Sequence, residues 1–177
     1  MKLLFFTRKI DKDDPRVGFV LDWVSELAHQ IDFLYVLTWQ KSREEELPEN
    51  VRLIKLPKNK FARLMVLPFK LLKVLPRVDG VFTHMMPLYS ILTGPWCKLF
   101  NKKLIQWYAH SSVDWQLKLS QFFVDEYVTA SKKSFRMKTK KPVRILGHGI
   151  NVNKVKSQKS KVKSAIQNSK FIILSVG

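Results

Sequence analysis

Three of the four histidines in this chain directly follow short apolar segments that look like buried strands. They are His84, His110 and His148, whereas His29 falls within a segment of helical spacing. An imidazole at the carboxyl end of a strand can hydrogen-bond a sugar hydroxyl or a phosphate, and His84 can equally be a structural histidine with satisfied hydrogen bonds. Because ligands of open α/β sheets bind beyond the carboxyl ends of the strands, these histidines predict one cleft at one edge of a sheet.

Glycines accompany these histidines. Gly18 opens a segment of helical spacing, where backbone N–H groups and the helix dipole can face an anion such as a diphosphate. A single glycine before a helix is also common in α/β proteins without any ligand there. Gly147 and Gly149 flank His148 and allow a turn that other residues resist. We therefore predict Gly18 and the turn at His148 and Gly149 as parts of the cleft.

The elements that must position these residues alternate between strand and helix along the chain. Apolar runs predict strands at 3–7, 32–39, 51–56, 81–84, 103–109, 126–130 and 143–146. Helical spacing predicts helices at 18–31, 61–75, 88–100 and 113–123. Pro68 should kink the second helix or split it. This alternation predicts an α/β fold, a Rossmann-like doubly wound sheet of about seven mainly parallel strands with helices on both faces.

Composition agrees with one domain or slightly more. The chain has 177 residues, 46% of them hydrophobic, and a single cysteine, Cys97. One cysteine excludes an intramolecular disulfide and a cysteine-based zinc cluster, which favours a reducing compartment. No apolar run approaches the roughly 20 residues of a membrane-spanning helix. We expect a cytoplasmic protein, or one that is peripheral on the inner face of the membrane.

Charge is the other strong signal. Thirty-two Lys and Arg against 14 Asp and Glu give a formal net charge of +18, and no acidic residue follows Glu126. A positive charge of this size favours binding to nucleic acid, phosphate groups or anionic lipid, although solvated surface lysines alone could account for the charge. The aromatic residues lie mostly in apolar segments that we expect to be buried, which argues against a stacking platform for nucleic acid. These residues are Phe5, Phe6, Trp23, Trp39 and Trp107.

The predicted helix over 61–77 carries basic residues in one sector and apolar residues opposite. The basic residues are Arg63, Lys70, Lys73 and Arg77. The apolar residues are Phe61, Leu64, Met65, Leu71, Leu72 and Leu75. A helix of this kind can lie on anionic lipid, or it can pack on a sheet with a solvated basic face. The pattern favours packing on the sheet and keeps membrane binding as the alternative.

The two segments at the end of the chain resemble a known hinge. Residues 144–155 read RILGHGINVNKV and residues 170–177 read KFIILSVG. The pair resembles the interdomain hinge of family 4 glycosyltransferases of the GT-B type. In that family a "pNGvD…F" segment closes the N-terminal domain and an "ilsVGr" strand opens the nucleotide-sugar-binding domain. Residues 147–151 depart from that motif, since glycine and histidine replace its proline and asparagine and Asn151 replaces its acidic residue.

Other segments extend the resemblance over essentially the whole chain. Residues 79–84, DGVFTH, resemble the family's "pDvvhaH", and residues 25–28, SELA, match its "eLa" helix. Residues 105–112, IQWYAHSS, are similar to a strand end whose histidine faces the interdomain cleft. The paired glycine that often precedes the first helix is reduced here to Gly18.

The resemblance implies a domain division and an activity. Residues 1–155 would form the N-terminal, acceptor-side domain, 156–169 a basic linker, and 170–177 the first strand of a donor domain. The whole enzyme would move a sugar, with retention, from a nucleotide-diphosphate sugar to a hydroxyl or lipid-linked acceptor in cell-surface polysaccharide or glycolipid synthesis. No metal or cofactor is implied. The donor site would lie mainly in the other domain, so this polypeptide alone should be inactive.

The resemblance also implies roles for single residues. His110 would be catalytic, and donor or substrate contacts would come from Gly18, His84, His148 and Gly149. Membrane contacts would come from Arg63, Lys70, Lys73 and Arg77. The alternative function is a non-catalytic basic module that binds anionic membrane or nucleic acid.

Overall fold

A computed structural model describes residues 1–11, 13–14, 17–40 and 47–147. In this part of the chain the strands are β1 (Lys2–Phe6), β2 (Phe33–Thr38), β3 (Val51–Lys55), β4 (Gly80–His84), β5 (Lys103–Trp107), β6 (Glu126–Thr129) and β7 (Val143–Ile145). The helices are α1 (Phe19–Gln30), α2 (Lys60–Val74), α3 (Pro87–Leu99) and α4 (Trp115–Ser120).

The strands form one sheet in the order β3-β2-β1-β4-β5-β6-β7, and every pairing is parallel. β2 and β3 follow β1 on one side of it, whereas β4 to β7 follow on the other side. The strand order therefore reverses between β1 and β4. In sheets of this kind a crevice opens beyond the strand ends at such a reversal. The predicted fold class is confirmed.

Alternate residues of β1 show how the core is divided between the two faces. Phe5 packs with α1 residues such as Val20 and Val24. Leu4 and Phe6 face the other way, into a larger cluster that draws on α2, α3 and α4. Because side chains alternate across a strand, this pattern puts α1 on one face and the other three helices on the opposite face.

Two details of the helices differ from the prediction. The expected split at Pro68 is wrong, since α2 runs through it without interruption from Lys60 to Val74. The proline deprives the Leu64 carbonyl of its donor, and Leu64 lies on the exposed side of the helix, where water can solvate that carbonyl. α4 begins later than predicted because the Asp114 carboxylate caps it by accepting from the Leu117 N–H at 2.7 Å.

Candidate functional site

Where the strand order reverses, the carboxyl ends of the neighbouring strands β1 and β4 lie side by side. His84, the last residue of β4, is 5% exposed, and its Nδ1 lies 3.3 Å from the Thr7 hydroxyl just beyond β1. Aromatic rings enclose the imidazole on its other sides: Phe5 at 6.0 Å, Phe19 at 5.9 Å and Trp23 at 5.5 Å between ring centroids. Its Nε2 is buried without a hydrogen-bond partner.

Burial sets the charge of this histidine. Removal from water lowers the pKa of His84 from 6.5 to about 4, because desolvation penalises the charged imidazolium. His84 is therefore neutral at pH 7. A neutral imidazole offers one donor and one acceptor, so His84 can hydrogen-bond a ligand but contributes no positive charge.

The backbone directly after His84 adopts an uncommon conformation. Met85 has a φ of 66°, in the left-handed region that side chains disfavour. The turn is held by two hydrogen bonds, from the Met85 N–H to the Trp107 carbonyl at 2.9 Å and from the Met86 N–H to the His84 carbonyl at 2.8 Å. Local strain of this kind concentrates at binding sites.

The amino terminus of α1 lies beside His84, because the ring of Phe19, the first residue of α1, contacts the imidazole. Gly18, at the cap position, has φ −56° and ψ −32°, a conformation open to any residue. Its N–H donates to the Asp14 carbonyl at 2.8 Å, and the Leu21 N–H donates to the Gly18 carbonyl at 3.3 Å. A diphosphate contact at Gly18 would therefore replace or share a hydrogen bond that the loop already makes.

His110 lies three residues beyond β5 and is exposed. Its Nδ1 accepts a hydrogen bond from the Ser112 N–H at 3.1 Å, and the Tyr108 hydroxyl donates to the Ser112 carbonyl at 2.9 Å. Since Nδ1 is an acceptor in this arrangement, the proton of the neutral ring sits on Nε2. His110 therefore presents a solvent-accessible N–H donor at the sheet edge.

Comparison with known proteins bears on this architecture. No family model and no curated protein matches the chain. Among solved structures, the chain is similar to Anabaena HepE (Alr3699) in complex with UDP and glucose, with a TM-score of 0.64 and 13% identity. The HepE complex with UDP gives a TM-score of 0.65 and 12% identity. Both comparisons cover 94% of this chain and 50% of HepE, so the chain spans about half the length of that protein. MurG of Acinetobacter baumannii, with a TM-score of 0.48 and 14% identity, is covered over 44% of its length by 80% of this chain.

The chain has the fold of one half of a GT-B glycosyltransferase. In this GT-B half, two of the predicted site residues come together at the sheet edge. They are His84 and Gly18, since Gly18 directly precedes Phe19, whose ring contacts His84. His110 follows the neighbouring strand at the same edge, and among the described residues no hydrogen bond or ring contact joins it to His84. His148 and Gly149 lie outside the described residues.

The four basic residues of the second helix do not form one solvated sector. Lys73 and Arg77 are exposed, while Lys70 is half-buried. Arg63 is also half-buried, and its guanidinium lies 4.0 Å over the Trp39 ring. The prediction that placed Arg63 with the solvated residues is wrong, because α2 is rotated so that Arg63 faces the end of β2.

The same rotation leaves apolar side chains of α2 in solvent. The helix packs through Leu67, Leu71 and Val74. Five large side chains spaced by three or four residues are exposed, with Phe61 at 82%: Phe61, Leu64, Met65, Phe69 and Leu72. The prediction that the predicted apolar sector packs on the sheet is wrong for four of its six residues. Only Leu71 and Leu75 of that set are buried.

Sequence reasoning missed a second group of residues at this edge. Arg8 lies two residues beyond β1 and Trp39 directly follows β2. Arg63 from α2 and Tyr89 from α3 both contact the Trp39 ring. The rule that strand ends meet at one edge applied to Arg8 and Trp39 as well as to the histidines. Nothing in the local pattern, however, indicated that Arg63 and Tyr89 would join them.

On the α1 face, the strands β5 to β7 form an apolar trough of about 780 Å³. Its apolar lining is Trp23, Leu27, Phe82, Ile105, Trp107, Val128 and Leu146. At its rim the buried Glu126 carboxylate pairs with Arg144, and with Lys103 at 3.4 Å.

In the part of the chain that the structure describes, no three His, Cys, Asp or Glu side chains come close enough together to hold a metal ion. No helix within those residues has both the length and the apolarity to cross a bilayer.

Proposed function

We propose that this chain is the N-terminal, acceptor-side domain of a retaining glycosyltransferase of the family 4 type. The enzyme would transfer a sugar from a nucleotide-diphosphate donor to a hydroxyl acceptor in cell-surface polysaccharide or glycolipid synthesis. One observation carries this proposal: a GT-B half presents His84 and His110 on the sheet edge where the strand order reverses. Support comes from the likeness to HepE, whose crystal structures hold UDP, or UDP and glucose.

The chemistry assigned to this edge is hydrogen bonding to polar and charged groups of the substrates. When the glycosidic bond to the donor breaks, negative charge develops on the departing diphosphate, and preorganised N–H donors stabilise it. The exposed Nε2–H of His110 is suited to that role. His84, neutral and sheltered by aromatic rings, is suited to a sugar hydroxyl, and the first turn of α1 lies beside it.

The test is a comparison of sugar transfer by this chain alone and together with a separately produced donor-side GT-B domain. UDP release from UDP-sugars is measured with lipid extract as the source of acceptor. We expect turnover only when both polypeptides are present, because the nucleotide site is assigned to the other domain. Turnover by the purified 177-residue chain alone would contradict the assignment of the nucleotide site to the other domain.

A non-catalytic nucleic-acid-binding role is the rival. It would show as steeply salt-dependent binding to DNA or RNA without any sugar transfer. Phe5, Phe6 and Trp107 are buried in the sheet, so these three rings cannot stack on bases. Trp115 and Phe122 are exposed, so the binding assay has to distinguish the two functions.

A specific observation favours a second role, docking of α2 on an anionic membrane. Its exposed apolar stripe from Phe61 to Leu72 is accompanied by Lys60, Lys70 and Lys73, and the helix contains no acidic residue. Apolar side chains that enter the acyl boundary and lysines near anionic headgroups both favour binding.

We expect the chain to float with vesicles that contain phosphatidylglycerol and not with pure phosphatidylcholine vesicles. Phe61→Ser together with Met65→Ser should weaken partitioning about tenfold or more, since each apolar side chain contributes about 1.5–3 kcal/mol when buried. Phe122→Ser is the control, because Phe122 is a phenylalanine that is 64% exposed, close to the 68% of Met65, but lies beyond α4. Equal losses of vesicle binding in the α2 and Phe122 variants would show nonspecific hydrophobic adsorption instead of docking through α2.

A further inference from the structure

Three side chains from different elements, those of Trp39, Arg63 and Tyr89, are joined by contacts beyond the ends of β1 and β2, and Arg8 lies next to them after β1. The Arg63 guanidinium lies over the Trp39 ring at 4.0 Å, and the Trp39 ring meets the Tyr89 ring edge-on at 4.7 Å between centroids. The Tyr89 ring stacks on Phe6 at 4.2 Å. The backbone of Arg8 is held in place where its carbonyl accepts from the Thr38 hydroxyl at 2.6 Å. We call Arg8, Trp39, Arg63 and Tyr89 the arginine–tyrosine cluster.

The cluster contains polar atoms that the protein itself leaves unused. Tyr89 is fully buried, and its hydroxyl has no hydrogen-bond partner. The Nη1 of Arg63 is likewise buried without a partner. A buried donor without a partner costs roughly 1–3 kcal/mol, so phenylalanine would serve the packing at position 89 better than tyrosine. Two such atoms from different helices in one cluster indicate that a ligand supplies the missing acceptor.

The charges in the cluster specify the sign of that ligand. Burial raises the pKa of Tyr89, while the positive charges of Arg8 and Arg63 both act on its hydroxyl and lower the pKa. Neither arginine has an ion pair among the described residues. The adjacent Lys9, by contrast, pairs with Asp11 and Asp14, each at 2.9 Å. The Arg63 guanidinium in this cluster, with the charge of Arg8 near enough to act on the same hydroxyl, matches the oxygens of a phosphate, which arginine binds bidentately.

We propose that the arginine–tyrosine cluster binds a phosphate group of the acceptor substrate, next to the edge that carries His84. The word acceptor rests on the proposed glycosyltransferase function, whereas phosphate binding rests on the cluster alone. The acceptor would then be a hydroxyl compound that also carries a phosphate ester. Arg63 and Arg8 would bind the phosphate oxygens, Tyr89 would donate one hydrogen bond, and Trp39 would hold the Arg63 guanidinium in place.

Isothermal titration of the full chain with inorganic phosphate tests the site, and glycerol 3-phosphate and dihexanoyl phosphatidic acid distinguish a soluble ester from a lipid headgroup. We expect one site, with affinity roughly tenfold to hundredfold weaker in Arg63→Gln and in Arg8→Gln, since each loses charged hydrogen bonds. Arg77→Gln is the matched control, because it removes the same charge just beyond α2 where the side chain is exposed. Tyr89→Phe should weaken phosphate binding without lowering Tm, since its hydroxyl makes no bond to the protein.

Equal affinity in the parent and in Arg63→Gln would overturn the proposal, and so would equal losses in Arg63→Gln and Arg77→Gln, which would show only general attraction by net charge. A lower Tm in Tyr89→Phe with unchanged phosphate affinity would make the hydroxyl structural and would also count against the site. Arg63-dependent phosphate binding without any sugar transfer would leave this site standing and remove the glycosyltransferase assignment. Sugar transfer with no phosphate binding would do the reverse.

Discussion

Acidification from pH 7 to pH 4 is expected to lower the free energy of unfolding by about 3 kcal/mol through His84 alone. The pKa of His84 falls from 6.5 in the unfolded chain to about 4 in the folded protein because the ring is desolvated. Between those values the unfolded chain binds the extra proton, so stability is lost as the pH falls through this window. Each pKa unit corresponds to about 1.4 kcal/mol. The groups described around the ring, Thr7, Phe5, Phe19 and Trp23, carry no charge that would offset the effect.

Urea unfolding at a series of pH values measures this contribution as a difference between variants, because carboxylates also titrate in this range. His84→Phe keeps a planar ring but cannot bind the proton, so its stability curve should be flatter than that of the parent by about 3 kcal/mol between pH 7 and pH 4. His29→Gln is the control, since His29 is an exposed histidine of α1. Parallel curves for the parent and His84→Phe would show that His84 is not desolvated as described.

His110→Ala is expected to lower kcat of sugar transfer roughly hundredfold to thousandfold, which is the usual effect of removing one preorganised donor to developing charge. This prediction rests on the proposed function and is measured with the two polypeptides combined. The Ser112 N–H orients the imidazole through Nδ1 and leaves Nε2–H for the diphosphate, which carries more negative charge in the transition state than in the bound donor. The effect should therefore fall on kcat far more than on KM.

His29→Ala should leave both kinetic constants unchanged, because His29 is an exposed residue of α1 in a different element from the edge loop. A change in KM alone for His110→Ala would make His110 a binding residue without a role in stabilising the transition state. Unchanged kinetics would remove His110 from the site and leave the edge to His84 and α1.

Local sequence determined most of the architecture. The seven apolar runs, with predicted helices in four of the six connections, predicted about seven mainly parallel strands, because a parallel connection needs a crossover and a helix can supply it. The position of the site followed from the same logic, since residues just beyond parallel strands must share one edge. That is why His84 and His110 could be placed at this edge before any coordinates were known. The break at Pro68 could not be judged in the same way, because its cost depends on whether the unpaired Leu64 carbonyl faces water or the core.

Tertiary structure alone decided what each side chain meets. The reversal of strand order sets Thr7 against His84 and places Phe19 and Trp23 over its ring. His84, which the sequence left open between a ligand contact and a structural histidine, is therefore buried and neutral. The rotation of α2 about its axis turned Arg63 toward Trp39 and left Phe61 in solvent.

The physical reason is the range over which each effect acts. Hydrophobic periodicity and turn preferences depend on a few neighbouring residues, so they can be predicted from the sequence. Burial, hydrogen-bond partners and charge neighbours depend on packing between segments that lie far apart in sequence. The four elements that supply Arg8, Trp39, Arg63 and Tyr89 meet only when the sheet and its helices are assembled.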